Sequence, residues 1–386
     1  MMVWRPFLHL LGLLSAVVAY TTLSDESLRA IPDPGNDFDI NTGAVLAPIL
    51  IPRVPGSSGS EKVQQHFIQF FQNQLPQWNI SYQNSTSTTP TSHGKHIPFV
   101  NIIATRDPPW ASEGSVGRLA LVAHYDSKLT PEGFIGATDS AAPCAMIMHA
   151  ARSIDRALTD KWESIQAEHE VVDDLDGHRG IQIILLDGEE AFASWTDTDS
   201  LYGARSLAEH WEADFHPATS MYQTPLDSID LFVLLDLLGA DGGTVPSYFK
   251  TTHWAYRHMA KAEVRLRELG LLNTKPNVVF FSENDKSEGD RWLGGYIGDD
   301  HLPFLQRGVE ILHLIAYPFP SVWHTIHDDG EHLDIDTVKD WAKIVTAFAA
   351  EWLELDAWMG STQQVAWAAK HHARMAVSGL SDKDEL

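Results

Sequence analysis

The chain has a single cysteine, Cys144, in 386 residues, so no intrachain disulfide can form. Its stability must come from a buried core rather than from covalent staples. Cationic residues are also scarce. Lys and Arg number 27 against 52 Asp and Glu, a formal charge of −25. That balance disfavours nucleic acid and anionic membranes as partners, because both need basic surface. The apolar stretch Phe7–Ala19 falls short of the roughly 20 residues that span a bilayer, so no stable membrane insertion is expected. Internal repeats are missing too, which excludes a solenoid or propeller. What remains is a globular composition, 44% hydrophobic and 20% charged, long enough for one large domain.

The first residues, MMVWRPFLHLLGLLSAVVAY, place Arg5 before the apolar stretch and small residues at Val17-Val18-Ala19. This is the layout of a secretory signal peptide, expected over residues 1–19, with an uncleaved anchor helix as the alternative. Lys383-Asp384-Glu385-Leu386 spells KDEL, the address read by the retrieval receptor of the endoplasmic reticulum; a vector-encoded tag is the alternative. Asn79-Ile80-Ser81 and Asn84-Ser85-Thr86 are N-glycosylation sequons, so that segment is expected on the surface. Together these features imply a glycoprotein of the endoplasmic reticulum lumen. One domain is expected over residues 24–360, followed by a tail, 361–386, that presents KDEL.

Val63, Phe67, Phe70 and Phe71 recur at helical spacing between Ser60 and Leu75, with Ser60 as the candidate N-cap. Apolar or β-rich runs follow at Trp78–Tyr82, Phe99–Ala104, Arg118–Ala123, Ile181–Leu186, Leu231–Leu235, Val278–Phe281 and Val309–Ile315. Helical patterns lie between several of them, at Asp139–Leu158, Ser200–Trp211, His253–Leu269 and Ile335–Leu355. The Ser/Thr-rich stretch 85–92 reads as a hairpin or loop, and the acidic stretch Asp155–Gly180 as a helix end and a loop. Alternating strands and helices imply an α/β sandwich built on a mostly parallel sheet.

Polar motifs stand where the apolar runs stop. RLALVA leads into His124-Tyr125-Asp126-Ser127, IQIILL into Asp187-Gly188-Glu189-Glu190, LFVLL into Asp236, and VEILHLIA, through YPFPSV, into Trp323-His324. Open α/β sheets bind ligands at the C-terminal ends of their strands, so these motifs are expected to converge. A Gly/Ala/Ser-rich turn adds Asp139. Each motif has a plain alternative. His124 and Asp126 could be a surface pair, Asp139 a helix cap and Glu189-Glu190 a solvated loop tip. Asp236 is harder to set aside, because a carboxylate in an apolar run needs a partner. As a set, carboxylates and imidazoles without thiolates suit a catalytic zinc that keeps a water position open.

HYDSK, FIGATDSAAPCAM, LLDGEEAFASW, DSLYGARSLA, IDLFVLLDLLGA and DDHLPFLQRGVEILHLIAYPFPSVWHT occur in this order between about residues 95 and 355. With these motifs the chain resembles the animal-type glutaminyl-peptide cyclotransferases (glutaminyl cyclases), within the clan of zinc-dependent aminopeptidases. The resemblance implies a three-layer α/β sandwich with a mixed, mostly parallel sheet flanked by helices. It implies one zinc ion per chain, held by Asp139, Glu190 and His324, and Glu189 as general acid/base. Asp236 would lie beside Glu189, with Asp299 and His313 completing a buried acid–imidazole network. Trp195, Ile297, Phe319 and Trp323 would line the substrate pocket. The implied activity is cyclisation of N-terminal glutamine, and more slowly glutamate, to pyroglutamate by a monomeric enzyme. Two positions depart from the vertebrate pattern. Ala123 stands where secreted vertebrate members carry a cysteine paired with the equivalent of Cys144, so Cys144 is expected to be a buried free thiol. Gly298 stands where vertebrate members often have glutamine.

Two other readings compete. His124, Asp139 and Asp236 could hold a second metal ion, as in a two-zinc aminopeptidase. A non-catalytic peptide-binding protein of the endoplasmic reticulum is the other.

Overall fold

The computed structural model describes residues 21–168, 178–275, 277–287, 289–292, 294 and 297–360. The expected signal peptide and the KDEL tail lie outside them. The helices are α1 (Asp25–Ala30), α2 (Ser58–Gln74), α3 (Ala142–Glu168), α4 (Tyr202–Ala213), α5 (His253–Glu268), α6 (Leu302–Leu305) and α7 (Ile335–Trp352). The strands are β1 (Asn79–Thr88), β2 (His96–Arg106), β3 (Val116–His124), β4 (His178–Leu186), β5 (Ile229–Asp236) and β6 (Ile311–Ile315). They form one sheet in the order β1-β2-β4-β3-β5-β6. β1 and β2 pair antiparallel, as do β2 and β4. The pairs β4–β3, β3–β5 and β5–β6 are parallel. The sheet is therefore mixed with a parallel centre, as expected.

The period-two alternation of the strands divides the core into two layers. Leu119, Leu121, Ile183, Leu185, Val233 and Leu235 face a large cluster with residues of α2, α3, α5 and α7. Ala120, Val122, Ile184, Leu186, Phe232 and Leu234 face a smaller one with Leu207, Trp211 and Phe304 of α4 and α6. Both faces of the central strands are covered, which explains their nearly continuous apolar sequences.

Several local expectations need correction. Ser57, not Ser60, caps α2, its side chain accepting from Ser60 N. β1 runs on to Thr88, so half of the Ser/Thr stretch is strand, and its alternating exposure marks an edge position. Val278–Phe281 is no strand; Phe281 makes one isolated bridge with Val245. α3 starts at Ala142 and continues to Glu168, ten residues beyond Leu158. Ile165 packs against the large cluster, and that burial extends the helix past the expected stop.

Candidate active site

β3, β4 and β5 are parallel and end on the same side, which brings His124, the Asp187–Glu190 turn and Asp236 together. The chain leaves β4 sharply at Gly188, where φ is +77° and an added Cβ would collide with the Phe99 ring. Only glycine fits that turn. The adjacent glutamates are then fixed by Asp126. Its carboxylate accepts the Glu189 N–H at 3.0 Å and the Glu190 N–H at 3.2 Å. The HYD motif thus supplies a clamp for the glutamate backbone and not a surface pair.

Asp139 lies in the turn Ala137–Ala141 with φ −120° and ψ 74°, three residues before α3 begins, and its carboxylate faces two imidazoles instead of capping that helix. Its Oδ1 is 3.0 Å from His124 Nε2, and its Oδ2 is 3.4 Å from His324 Nε2. His324 Nε2 is also 3.6 Å from Glu190 Oε2. One ligand atom each from Asp139, Glu190 and His324 can lie within 4.8 Å of the others. Asp139 Oδ2 and Glu190 Oε1 are buried without a hydrogen-bond partner. Two orphaned carboxylate oxygens beside an imidazole suit a zinc ion. His324 has φ +56°, uncommon for a residue with a side chain and often associated with functional sites. Its ring stacks on Trp323 with centroids 3.9 Å apart.

Burial pushes the Glu189 carboxyl well above the usual range, with His124 opposing and Glu190 adding. Burial does the same to Glu190, where Asp139 adds and Lys128, 3.3 Å from its Oε2, opposes. Burial also acts on Asp139, but the neighbouring His124 and His324 imidazoles outweigh it and hold this carboxyl below the usual range. Asp236 accepts the Leu237 N–H at 2.8 Å and the Ser140 hydroxyl, and burial raises it. Asp299 and His313 form a buried pair at 2.7 Å. A second cluster with metal-ligand spacing, His124, Asp139 and Asp236, adjoins the first through their shared aspartate.

Over these groups lies a cavity of about 460 Å³. Glu189, Asp139, Asp236, His324 and Lys128 are its charged or titratable lining, and Trp195, Ile297, Phe319 and Trp323 line it with apolar surface. Every residue expected in the pocket wall is present. Asp299 and His313 are not in the lining and stand behind it, almost fully buried. Trp195 sits on a loop held by Asp199, which accepts the N–H groups of Phe192, Ala193 and Ser194 at 3.0, 2.9 and 2.9 Å.

Sequence reading missed the residues that hold these loops. Arg53 is fully buried and donates to the carbonyls of Tyr125, Ile135 and Gly136, joining the segments that carry Asp126 and Asp139. Asp328 anchors the Asp139 turn from the other side. No local motif marks either one. Cys144 is a buried free thiol, as expected, donating to His124 O at 3.2 Å, and burial pushes it up to about 12.

The pattern of peptidase family M28 matches residues 101–349. The glutaminyl-peptide cyclotransferase of Bos taurus is 40% identical over 314 residues, covering 80% of this chain and 81% of its own. That of Gloydius blomhoffii is 40% identical over 317 residues, covering 80% of each chain. The chain belongs to the glutaminyl-peptide cyclotransferases. The crystal structure of Macrostomum lignano glutaminyl cyclase superposes with a TM-score of 0.69 at 30% identity, covering 87% of this chain and 97% of that one. Family M28 is zinc-dependent, in keeping with the two clusters of candidate ligands.

Proposed function

We propose that the enzyme cyclises the N-terminal glutamine of peptides and proteins to pyroglutamate with release of ammonia, and glutamate more slowly with release of water. The observation that carries this reading is the division of labour between two neighbouring glutamates. Glu190 faces Asp139 and His324, whereas Glu189 lines the cavity with Asp236 and the aromatic walls. Asp139, Glu190 and His324 would hold one zinc ion, which would supply Lewis-acid polarisation of a carbonyl oxygen and stabilise the negative charge developing there.

Glu189 takes a proton from the attacking α-amine and delivers it to the departing amide nitrogen. The α-nitrogen bonds to the side-chain carbonyl carbon, and the bond from that carbon to the amide nitrogen breaks. Nucleophile and electrophile belong to one residue, so the protein's main task is to hold a curled conformer. Trp195, Ile297, Phe319 and Trp323 do this and keep out water that would hydrolyse the amide. Asp236, locked by Ser140 and Leu237, orients the amine beside Glu189, with Asp299 and His313 supporting the proton network from behind. The aromatic walls carry no charge, and the one lysine in the lining, Lys128, is paired with Glu190 at 3.3 Å beside a group of carboxylates, so neutral glutamine is favoured over glutamate.

The test is ammonia release from a glutamine-initiated dipeptide, run with metal analysis of the same sample. Ammonia release with one zinc per chain supports the reading. Two zincs with hydrolysis of amino-acid amides would return it to an aminopeptidase.

Residues 24–360 constitute the catalytic unit in this reading, acting as a monomer. The apolar stretch Phe7–Ala19, the KDEL sequence and sequons at Asn79 and Asn84 support a lumenal glycoprotein retrieved by the KDEL receptor, acting on chains during secretion. Both asparagines are exposed on β1. Deleting Lys383–Leu386 should release active enzyme to the medium; retention of the deleted form would refute this route.

A further inference from the structure

Beyond the cavity, the segment that follows His324 gathers another set of ligand types. His327, Asp329 and His332 each offer an atom within 4.8 Å of the others. The two imidazole rings are 5.2 Å apart, centre to centre. Both histidines are exposed and Asp329 is half-buried, so the cluster opens to solvent. Its shape is set by local bonds. Asp329 Oδ1 accepts the Glu331 N–H at 3.0 Å and the His332 N–H at 3.2 Å, and lies 2.7 Å from His332 Nδ1. The loop therefore turns His332 back towards His327. Exposed Glu331 and half-buried Asp334 add carboxylates to the same short stretch of a chain whose net charge is −25. Such a field draws cations to this face.

We propose that His327, Asp329 and His332 form an exchangeable surface site for a divalent first-row transition ion, separate from the centre at Asp139, Glu190 and His324. Two imidazoles and one carboxylate suit zinc, nickel or copper(II) and not calcium or magnesium, which take oxygen ligands. Three protein ligands in an open position leave the ion exchangeable with solvent. The site lies on the segment that carries both His324 and Asp328. Asp328 holds the Asp139 turn through its backbone carbonyl, which accepts the Ala137 N–H at 3.0 Å, and through its side chain. An ion held within residues 327–332 stiffens the stretch that carries Asp328, and because this geometry exists only in the folded chain, its occupancy stabilises the folded enzyme.

The experiment compares wild type with the double variant H327A/H332A as full-length holoenzymes. Both are stripped of loosely held metal and dialysed against zinc chloride, and in parallel against nickel chloride. Metal per chain and Tm are then measured. Wild type should take up one ion more than the double variant, and saturating zinc should raise its Tm by roughly 2 °C or more. The double variant should keep the tighter ion and show no such rise. A single H332Q variant, which keeps a polar side chain, guards against loss of folding and should also lose the extra ion. Equal uptake by wild type and the double variant would overturn the proposal. So would loss of the extra ion in His124→Ala instead, because the ion would then sit in the deep cluster. Neither readout uses cyclisation, so this inference can fail while the proposed activity stands, and the reverse.

Discussion

The carboxylate of Asp328 accepts both the N–H and the hydroxyl of Thr138, at 2.8 and 3.0 Å, across 190 residues of chain. Thr138 precedes Asp139, so this bond fixes the turn that aims a candidate metal ligand. Asp328→Ala would leave a buried N–H unpaired and the turn unanchored. The expected result is a fall in zinc affinity of about 10- to 100-fold, as for other groups that orient metal ligands. Competition with a chelator measures it. Asp328→Asn keeps an acceptor and should lose less. Wild-type affinity in the alanine variant would show that the turn holds itself.

The two adjacent glutamates should separate cleanly. Glu189→Gln is expected to keep zinc and fold while turnover drops by roughly 10²–10⁴, the usual share of a general acid/base. Glu190→Ala should lose the ion, because three protein ligands become two. Zinc analysis beside ammonia release decides the matter. A zinc-loaded, inactive Glu190→Ala would mean the roles are exchanged.

His124 and Asp236 distinguish one metal from two. If the enzyme works with one, His124→Ala keeps its zinc and measurable cyclisation, with reduced stability from the lost contact with Asp139. Asp236→Asn keeps zinc as well but loses most activity, since a neutral amide replaces the carboxylate that orients the amine. Wild type should release no leucine from leucine amide. Loss of one of two zincs in either variant, together with amide hydrolysis by the wild type, would favour the aminopeptidase.

Acid should destabilise the fold through His149. Burial pushes this imidazole down to about 3, with Arg152 adding. The unfolded chain titrates near 6.5, so between these values it holds a proton that the folded chain lacks. Stability therefore falls as pH drops through that window, by up to about 1.4 kcal/mol per pH unit for this one group. His149→Gln can still donate to Pro32 O, which His149 Nε2 meets at 3.2 Å. Denaturant unfolding at pH 6.5 and 4.5 should show a slope smaller by roughly one proton. His301, also pushed to about 3 by burial, keeps part of the slope. An unchanged slope would show that His149 gains solvent before unfolding.

The site was legible where chemistry demands a particular side chain at a strand end. His124, Glu189-Glu190 and Asp236 interrupt apolar runs, and their placement follows from parallel strands ending together. The three-strand centre of the sheet, β4-β3-β5, was readable for the same reason, because burial on both faces leaves unbroken apolar runs. Residues that act on distant backbone left no such mark. Arg53 and Asp328 look ordinary in sequence, since their partners are carbonyls and N–H groups that any residue supplies. Local competition hid the rest. Ser57 and Ser60 are equally good caps by type, and only the hydrogen bond to Ser60 N separates them. Ser85–Thr88 reads as a turn, yet pairing with Ile97–Phe99 and His96 across the hairpin keeps it extended.

β1 ends the sheet, with no strand beyond it among the described residues. An open edge is a template on which another chain can add a strand, the first step towards aggregation. Asn79 and Asn84 are five residues apart, so on a strand they point to opposite faces, and both are exposed. Glycans on the pair would flank the edge above and below and sterically block a docking strand. A host that attaches no glycans leaves that edge bare, guarded only by the polar alternation of its serines and threonines. Protein made there should be the more prone to self-associate, although neither asparagine touches the reaction.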